Sequence, residues 1–342
     1  MGVSVSAAHA LMTASTFSDS VSKLSQVISA VVVFFAVLLL IFFFAGRATG
    51  RFQRPLTIAI FVGPAIALLI VGLVIPSFRT FYLSLHGASA ARNAPYVGFR
   101  NFRFAFTDPA TQSVLLNTLA WIIVAPLVAT GLGLTIAIVV DRMKRQSLVK
   151  SLIFMPMAIS FVGASIIWKY VYDYKQSSQP QDGLLSQVVI VLGWKHPPNW
   201  LLTHPLNNFL LMVILVWIEV GFAMVVLSAA IKAVPDEIIE AARVDGAHGF
   251  GLFSKIQIPM IRATLVVVLT TIMIATLKIF DIVQTSTGGN FGTNVLANDM
   301  YTNAFVTNNI GLGAALALIL FVGVLPLVGY NVLQLKKERS NR

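Results

Sequence analysis

The chain has 342 residues, of which 57% are hydrophobic and 11% are charged, with a net charge of +11 and no cysteine. Soluble domains carry about 25% charged residues, so the composition excludes a water-soluble globular protein, and the missing cysteine excludes disulfides and thiolate metal sites. The long apolar runs do not alternate, which excludes a β-barrel and predicts an all-α integral membrane protein whose positive charge reflects cytoplasmic loops rather than nucleic-acid binding.

The first 26 residues are rich in Ser and Ala and hold one basic residue, Lys23. They lack the basic start and the small-residue cleavage site of a secretory signal. We therefore expect a flexible segment at 1–26, followed by an uncleaved transmembrane helix at 27–45. A frayed or partly inserted first helix is the alternative.

Seven apolar runs approach the roughly 20 residues that a bilayer core requires. Prolines within four of these runs are tolerable where neighbouring helices satisfy the freed carbonyl groups. The predicted spans are Val27–Ala45, Leu56–Phe78, Val114–Val140, Ser151–Tyr172, Asn207–Ile231, Ala263–Gln284 and Ile310–Leu333.

Basic residues concentrate on one side of the predicted bundle. Because cytoplasmic segments of membrane proteins collect Lys and Arg, this side is expected to be cytoplasmic, with the tail at 336–342 inside and the N-terminus outside. The residues that decide the orientation are Arg47, Arg51, Arg54, Arg142, Lys144, Arg145, Lys150, Lys232, Arg243, Lys255, Arg262, Lys336, Lys337, Arg339 and Arg342.

The loops predicted on the opposite side are the longer ones, at 79–113, 173–206 and 285–309. The second of them contains GLLSQVVIVLGW, Gly183–Trp194. Two interpretations stay open for it: a short helix at the membrane surface or against a partner, or a packed loop.

A cytoplasmic loop at 233–262 has the residues of a helix, a glycine turn and a second helix. Pro235 suits a first helical position, and acidic residues follow it near the positive end of the helix dipole. Glu240 and Arg243 are three residues apart and can pair. Gly246 is expected to end the helix, a second helical run is expected at 248–256, and Pro259 is expected to start the sixth span. The exposed apolar residues fit either a protein partner or lipid headgroups.

The sequence EAARVDGAHGFGLFSKIQIP within this loop resembles the signature of permease subunits of binding-protein-dependent ABC importers. Ile258 stands where that family usually has Leu. AIKAVPDEIIEAARVDGA and FDIVQTSTGGNFGTNVLANDMY resemble the maltose-type sugar permeases, and FMPMAISFVGASIIWKYVYDYKQ is most similar to the α-glucoside permeases. The matching signature positions are Glu240, Ala241, Ala242, Gly246, Ile256 and Pro259.

The resemblance covers roughly residues 56–335 and implies a type I ABC importer (MetI-like) permease core of six helices, with the span at 27–45 as an addition. It implies that the loop at 233–262 is a coupling loop that docks in a cleft of an ATPase subunit. Glu240 would make polar contacts there, Ala241 and Ala242 would permit close packing, Gly246 would set the elbow, and Asp245 belongs to the same coupling loop.

The chain itself has no GxxxxGK phosphate loop, no HExxH motif and no arrangement typical of a catalytic nucleophile. We therefore predict no enzymatic site and no cofactor bound by this chain, with Mg-ATP bound in the partner subunits. The glycine-rich GGNFG at 288–292 is interpreted as a turn.

Charge within a predicted span is costly and tends to face a cavity or a partner. Glu219, Lys278 and Asp281, which fall within predicted spans, are therefore candidates for a functional site. Lys278 and Asp281 are expected to share a helix face, either as a local ion pair or as part of a hydrogen-bonding lining for a sugar. The resemblance adds Val220, Gly221 and Met224 to this substrate pathway; Asn117 and Trp168 are weaker candidates with an equally good packing role.

The expected protein is a carbohydrate permease of a bacterial or archaeal cytoplasmic membrane, for an α-glucoside or small oligosaccharide, with trehalose, polyols or glycerol derivatives as alternatives. The resemblance implies a second homologous permease, two ATPase subunits and an extracytoplasmic sugar-binding protein or lipoprotein as partners, all at a lipid bilayer. Two rivals remain: an ion-gradient carrier that uses the three ionisable residues as a relay, and a membrane scaffold without transport.

Overall fold

The computed structural model describes residues 53–88, 94–176 and 179–340, together with scattered positions between residues 25 and 43. The predicted flexible segment at 1–26 and most of the predicted span at 27–45 lie outside the described residues. The chain forms two compact units, Met1–Phe78 and Arg79–Arg342, and the second unit holds the loop at 233–262 and every candidate site residue.

The described residues are helical almost throughout and contain no β-strand. Short π-helical or 3₁₀ turns connect several of the helices, at Ile70–Val74, Met155–Ala158, Phe253–Gln257 and Thr302–Val306. In chain order the helices are α1 (Gln53–Leu69), α2 (Ile75–Ser84), α3 (Arg100–Thr107), α4 (Pro109–Val140), α5 (Gln146–Phe154), α6 (Phe161–Val171), α7 (Leu184–Val191), α8 (Leu206–Lys232), α9 (Asp236–Val244), α10 (Gly249–Leu252), α11 (Ile258–Leu277), α12 (Asp281–Ser286), α13 (Leu296–Tyr301) and α14 (Ile310–Ser340).

Five continuous helical segments of the described chain are long and apolar enough to cross a membrane. They are Phe61–Ser84, Pro109–Val140, Leu206–Lys232, Gly249–Leu277 and Ile310–Leu333. A sixth candidate consists of α5 and α6, which are bent by 103° at the break between them. The predicted all-α membrane fold is therefore confirmed, and the last helix extends beyond its predicted end to Ser340.

The bent pair α5–α6 follows α8 along nearly its whole length in the opposite direction. The contacts pair, in order, Gln146 with Lys232, Lys150 with Ser228, Phe154 with Gly221, Trp168 with Trp217, and Tyr172 with Leu210. From Leu210 to Lys232 α8 rises about 33 Å, which matches the roughly 30 Å of a bilayer core. The pair therefore crosses as one broken span, which brings the described spans to six.

The fourth span was predicted as a continuous helix, and this prediction is wrong at Pro156. Proline has no backbone N–H and its ring clashes with the preceding turn, so the helix tightens into a 3₁₀ turn and ends. Ile159 and Ser160 are extended, and Ser160 then starts α6 by accepting a hydrogen bond from the N–H of Gly163 at 3.1 Å. Pro126, by contrast, lies inside the continuous helix α4.

The sixth span also differs from its prediction of Ala263–Gln284. It begins earlier, at Gly249, and runs through Pro259 without interruption to Leu277. Pro259 falls in the first turn of α11, directly after the π-turn Phe253–Gln257. The α-helical hydrogen-bond pattern is already interrupted there, so the missing N–H of the proline is tolerated. The helix ends at Leu277, and Ile279 packs in the buried core between the two helices. Helix α12 is therefore separate from α11.

Close backbone approach holds α4 and α5 against α8. A Cβ atom on Gly133 of α4 would lie 2.5 Å from the Cβ of Ala223, and one on Gly221 of α8 would lie 2.7 Å from the carbonyl oxygen of Ile153. Membrane helices associate through such small residues, because lipid supplies no hydrophobic driving force between them. Trp121 of α4 is fully buried in the same core.

The Gly133 contact predicts a difference between two glycines of one helix. Gly133→Ala is expected to lower the apparent melting temperature of the detergent-solubilised protein, because overpacking at a helix crossing costs about 1–3 kcal/mol. Gly131→Ala is the matched control, since a Cβ there meets no atom within 4 Å. Equal melting temperatures for the two variants would contradict the crossing.

Candidate functional site

The loop at 233–262 folds into a helix, a glycine turn and a second helix at one end of α8, as predicted; we call residues 233–257 the knuckle. Helix α9 begins at Asp236, one residue later than expected, with Pro235 as its N-cap. Asp236 and Glu237 lie in its first turn and Arg243 in its last turn, which suits the helix dipole. In the part of the chain that the structure describes, the anticipated ion pair between Glu240 and Arg243 is not formed.

Gly246 ends α9 in a Schellman motif. The N–H of Gly246 donates to the carbonyl of Arg243 at 3.0 Å, and the N–H of Ala247 donates to the carbonyl of Ala242 at 2.9 Å. This geometry requires a left-handed residue after the cap, and Gly246 has φ of +86°. The predicted role of Gly246 in ending the helix is confirmed.

The knuckle presents apolar side chains to its surroundings. Val244 is 88% exposed and Phe250 is 80% exposed, and Ile238 on the same helix as Val244 is also exposed. Ala241 and Glu240 are exposed as well, whereas Ala242 is buried beneath the turn and Ile256 is half-buried. Large exposed apolar residues flanked by charges are typical of a surface that another protein covers.

A charged network lies at the base of the knuckle, where α4, α5 and α8 end or begin. Lys150 donates to Asp141 and to Ser228, both at 2.5 Å, and the hydroxyl of Ser228 donates to the Asp141 carboxylate at 2.9 Å. Lys232 lies 3.5 Å from the same carboxylate and donates to Gln146 at 2.6 Å. The network therefore joins three spans through one aspartate.

Burial of Asp141 raises the pKa of its carboxyl, and the hydrogen bonds from Lys150 and Ser228 outweigh this effect, so the pKa lies below its usual value. Asp141 also lines a cavity of about 420 Å³ together with Arg243, Ala247 and His248 of the knuckle. The network thus sits directly between the knuckle and the bundle.

Four of the six predicted pathway residues lie on α8, whereas Lys278 caps the C-terminus of α11 and Asp281 begins α12. Glu219 is half-buried near the middle of α8 and makes no hydrogen bond or ion pair within the described part of the chain. The break between α5 and α6 lies at its level, because the flanking contacts are with Gly221 and Trp217. Unwound backbone at membrane depth is tolerated only where protein or a water-filled cavity surrounds it.

Three of the predicted pathway residues are packed within the bundle. Val220 is 8% exposed and Met224 is fully buried. Gly221 is the point of closest approach to α5, and its missing side chain is needed for the helix crossing. Their part in a substrate pathway stays a prediction.

The expectation that Lys278 and Asp281 share one helix face is wrong. Lys278 is the C-cap of α11, and Asp281 is the first residue of the separate helix α12. No ion pair joins them among the described residues. Lys278 is exposed and Asp281 is half-buried at this second interrupted span, so their charged groups remain available for other partners.

A cluster of asparagines at the other end of α8 was not recognised from the sequence. Asn208 donates to Asn117 at 3.0 Å and to the carbonyl of Gly292 at 3.1 Å, and Asn117 donates to the same carbonyl at 2.7 Å. Asn207 donates to the carbonyl of Phe291 at 2.9 Å. GGNFG is the predicted turn, and these amides attach it to α4 and α8. Asn117 therefore has a structural role.

Asp141, Ser228 and Lys150 were also missed as a site. The sequence indicated Lys150 and Lys232 only as positive charges that decide the orientation. No sequence spacing relates residues 141, 150 and 228, which meet only through helix packing. In the sequence, the only indication of this site was a polar residue, Ser228, within an apolar span and an aspartate, Asp141, at the end of another.

In the described part of the chain, six segments that are long and apolar enough to cross a membrane, counting the bent pair α5–α6, and an exposed knuckle at one end define a polytopic α-helical membrane protein. The chain belongs to the family of binding-protein-dependent transport system inner membrane components, whose family model matches residues 129–339. The resemblance drawn from the signature loop is thereby confirmed, and the protein is an inner-membrane permease of the ABC transporter class.

Two relatives and one solved structure show how far the similarity extends. The osmoprotective compounds uptake permease GgtC of Synechocystis is 44% identical over 83% of this chain and all of its own length. The α-glucoside permease AglF of Rhizobium meliloti is 43% identical over 82% of each chain. A subunit of a bacterial alginate ABC transporter, solved with a periplasmic protein, has a TM-score of 0.70 at 18% identity over 82% of this chain and 94% of its own. The last match confirms the predicted fold.

The Asp141 network predicts a pH-dependent loss of stability. Asp141→Asn is expected to lower the free energy of unfolding at pH 7 by about 1–3 kcal/mol, because Lys150 loses its charged partner in a partly buried place. Since the folded-state pKa is depressed, the contribution is present above the unfolded value and is lost as the pH falls below about 4. Thermal unfolding of the wild-type protein and of the Asp141→Asn variant across pH 3–8 measures this loss of stability.

Asp182→Asn serves as the control for Asp141→Asn. Asp182 pairs with Lys175 in an exposed loop, with 61% of the aspartate side chain accessible, and such pairs contribute about 0.2–1 kcal/mol. An effect of Asp141→Asn no larger than that of Asp182→Asn, or one that does not decrease as the pH falls below about 4, would show that the network does not support the fold.

Proposed function

We propose that this chain is the permease subunit of an ATP-driven importer that moves a small carbohydrate into the cytoplasm by alternating access. The observation that carries the proposal is the exposed knuckle with its signature residues Glu240, Ala241, Ala242, Asp245 and Gly246. It stands at the junction of the two spans that hold the candidate pathway residues. The substrate favoured is an α-glucoside or a small oligosaccharide.

The knuckle is covalently continuous with α8 and with the helix that starts at Gly249. Glu219 lies on the first of these spans, and Lys278 lies at the end of the second. A displacement of the knuckle therefore moves both sides of the pathway through stiff helices. This is the arrangement that alternating access requires, because one rigid-body movement opens one end of a pathway and closes the other.

The energy source is proposed to be a partner. The exposed Val244 and Phe250, flanked by charged residues, suit the cleft of an ATPase subunit. Two such subunits with their Mg-ATP, a second permease and an extracytoplasmic sugar-binding protein complete the proposed importer. In this arrangement the knuckle faces the cytoplasm, as do the C-terminal tail and the basic residues around Lys150 and Lys232.

The substrate assignment is supported by the relatives and by the chemistry of the bundle. Glu219 has unused hydrogen-bonding capacity at mid-span, beside a broken helix whose backbone is partly unpaired. Carboxylates and free backbone groups suit sugar hydroxyls. The α-glucoside permease supports an α-glucoside, and the osmoprotective compounds permease supports the alternative of another sugar or polyol, such as trehalose or a glycerol derivative.

An ion-coupled carrier is the remote alternative, with Glu219, Lys278 and Asp281 as its relay. It predicts uptake that survives ATP depletion and stops with a protonophore. The knuckle has no purpose in such a carrier, whereas it is required in the proposed importer.

The coupling role predicts that Gly246→Ala weakens the transmission of movement between the ATPase subunit and the permease. A residue other than glycine in the left-handed region costs about 1–2 kcal/mol, which distorts the end of α9. In the reconstituted transporter we expect substrate-stimulated ATPase activity and maltose import to fall together by about fivefold or more. Gly251→Ala is the matched control, because Gly251 is also in the knuckle and a Cβ there meets no atom within 4 Å. Unchanged import in Gly246→Ala would refute the coupling role.

The pathway role predicts that Glu219→Gln reduces sugar import while leaving the protein assembled. Loss of a charged hydrogen-bond partner costs about 1.5–3 kcal/mol, so we expect a fall of roughly tenfold or more in transport rate per unit substrate. ATPase stimulation by the loaded binding protein should remain, since the knuckle is unaffected. Asp182→Asn controls for the loss of an exposed carboxylate. Normal import in Glu219→Gln would remove this residue from the pathway.

A further inference from the structure

A cavity of about 410 Å³ opens on the face of the bundle opposite the knuckle. Its volume is within the roughly 300–1,000 Å³ typical of small-molecule sites. The cavity lies where α6 ends, beside Leu210 in the second turn of α8. The side chains that matter for its chemistry are Lys169, Asp173, Tyr174, Asn199, Ser286 and Phe291.

The cavity is lined by polar groups that have no partner in the described chain. The side chains of Asp173 and Asn199 line the cavity, are half-buried and make no hydrogen bond within the described residues. Their carboxylate and amide groups are therefore free to bind a polar ligand in the cavity.

Lys169 retains donors that face this space. Its ammonium group donates one hydrogen bond, to the carbonyl of Thr285 at 3.1 Å, and has three N–H groups in all. This bond places the cation at the C-terminal end of α12. Lys169 and Asp173 carry opposite charges, so together they favour a neutral ligand with many hydroxyl groups rather than an anion or a cation.

An aromatic ring completes the lining. Phe291 is 51% exposed and adopts φ of +58°, a conformation that costs energy for a bulky residue. The hydrogen bond from Asn207 to its carbonyl holds it there. An exposed ring beside hydroxyl, amide and carboxylate groups matches the apolar face and polar rim of a sugar ring.

We infer that this cavity is a carbohydrate-binding vestibule, separate from the mid-span residues around Glu219. The inference rests on the proposed function, which makes this face the outer one. Helix α12 begins at Asp281 and ends at Ser286, so one rigid helix of about 8 Å joins the cavity to the predicted pathway. A sugar released at the outer surface binds here before it reaches Glu219.

The lack of cysteine in the chain allows a direct test. Asn199→Cys places one thiol in the cavity, and Lys195→Cys places one on an exposed loop outside it. Both are made in the full transporter, reconstituted with its partner subunits. The rate of maleimide labelling is measured with maltose, trehalose, sucrose or glycine betaine, without and with the binding protein.

At least one of the three sugars alone is expected to slow labelling of Asn199→Cys threefold or more, with no effect of glycine betaine and none on Lys195→Cys. Adding Asp173→Asn to the labelled variant should raise the sugar concentration for half-protection about fivefold or more. Protection by the binding protein but not by free sugar would overturn the inference, because the cavity would then be a protein contact. Absence of protection by either would also overturn it.

An import assay separates this inference from the proposed function. If the wild-type complex imports none of these or related sugars, the proposed function fails whatever the labelling shows. If import is normal and Asn199→Cys is never protected by free sugar, the importer stands and the vestibule alone is refuted. Asp173→Asn should raise the half-saturating sugar concentration for import.

Discussion

The close packing of backbones against α8 is the constraint on which the rest of this bundle depends. Gly133 and Gly221 bring α4 and α5 into direct contact with it, at points where a single methyl group would clash. In a membrane such contacts replace the hydrophobic effect as the force that holds helices together. Because α8 is fixed in this way, Glu219 stays at mid-span and the knuckle stays at its end.

Two spans beside α8 are interrupted, and both interruptions carry function in the proposed importer. Irregular backbone, as at Ile159 and Ser160 or after Leu277, is unfavourable in lipid and must lie within protein or beside water. This places polar chemistry inside an otherwise apolar bundle. The charged network at Asp141 and the asparagine cluster at Asn208 then join the same helices at opposite ends, so movement of the knuckle acts on a connected body.

Hydropathy and local spacing predicted much of this fold. The fifth span was placed within one residue of α8, and Gly246 was identified as the end of the knuckle helix. The bend after Pro156 and the early end of the sixth span at Leu277 were not predicted. The mean hydropathy of a window depends on its composition and contains no information on the direction of the chain. An apolar residue such as Ile279 contributes the same hydropathy in a helix and in a buried turn.

The sequence by itself determined the class of protein, the approximate spans and the coupling signature, because these depend on composition and on residues close together in the chain. Only the tertiary structure decided which polar groups meet. Asp141 reaches Ser228, Asn117 reaches Gly292, and Lys169 reaches Thr285, all through packing between segments far apart in the chain. The physical reason is that periodicity within a helix gives the face of a residue but never the identity of the neighbour that face will contact.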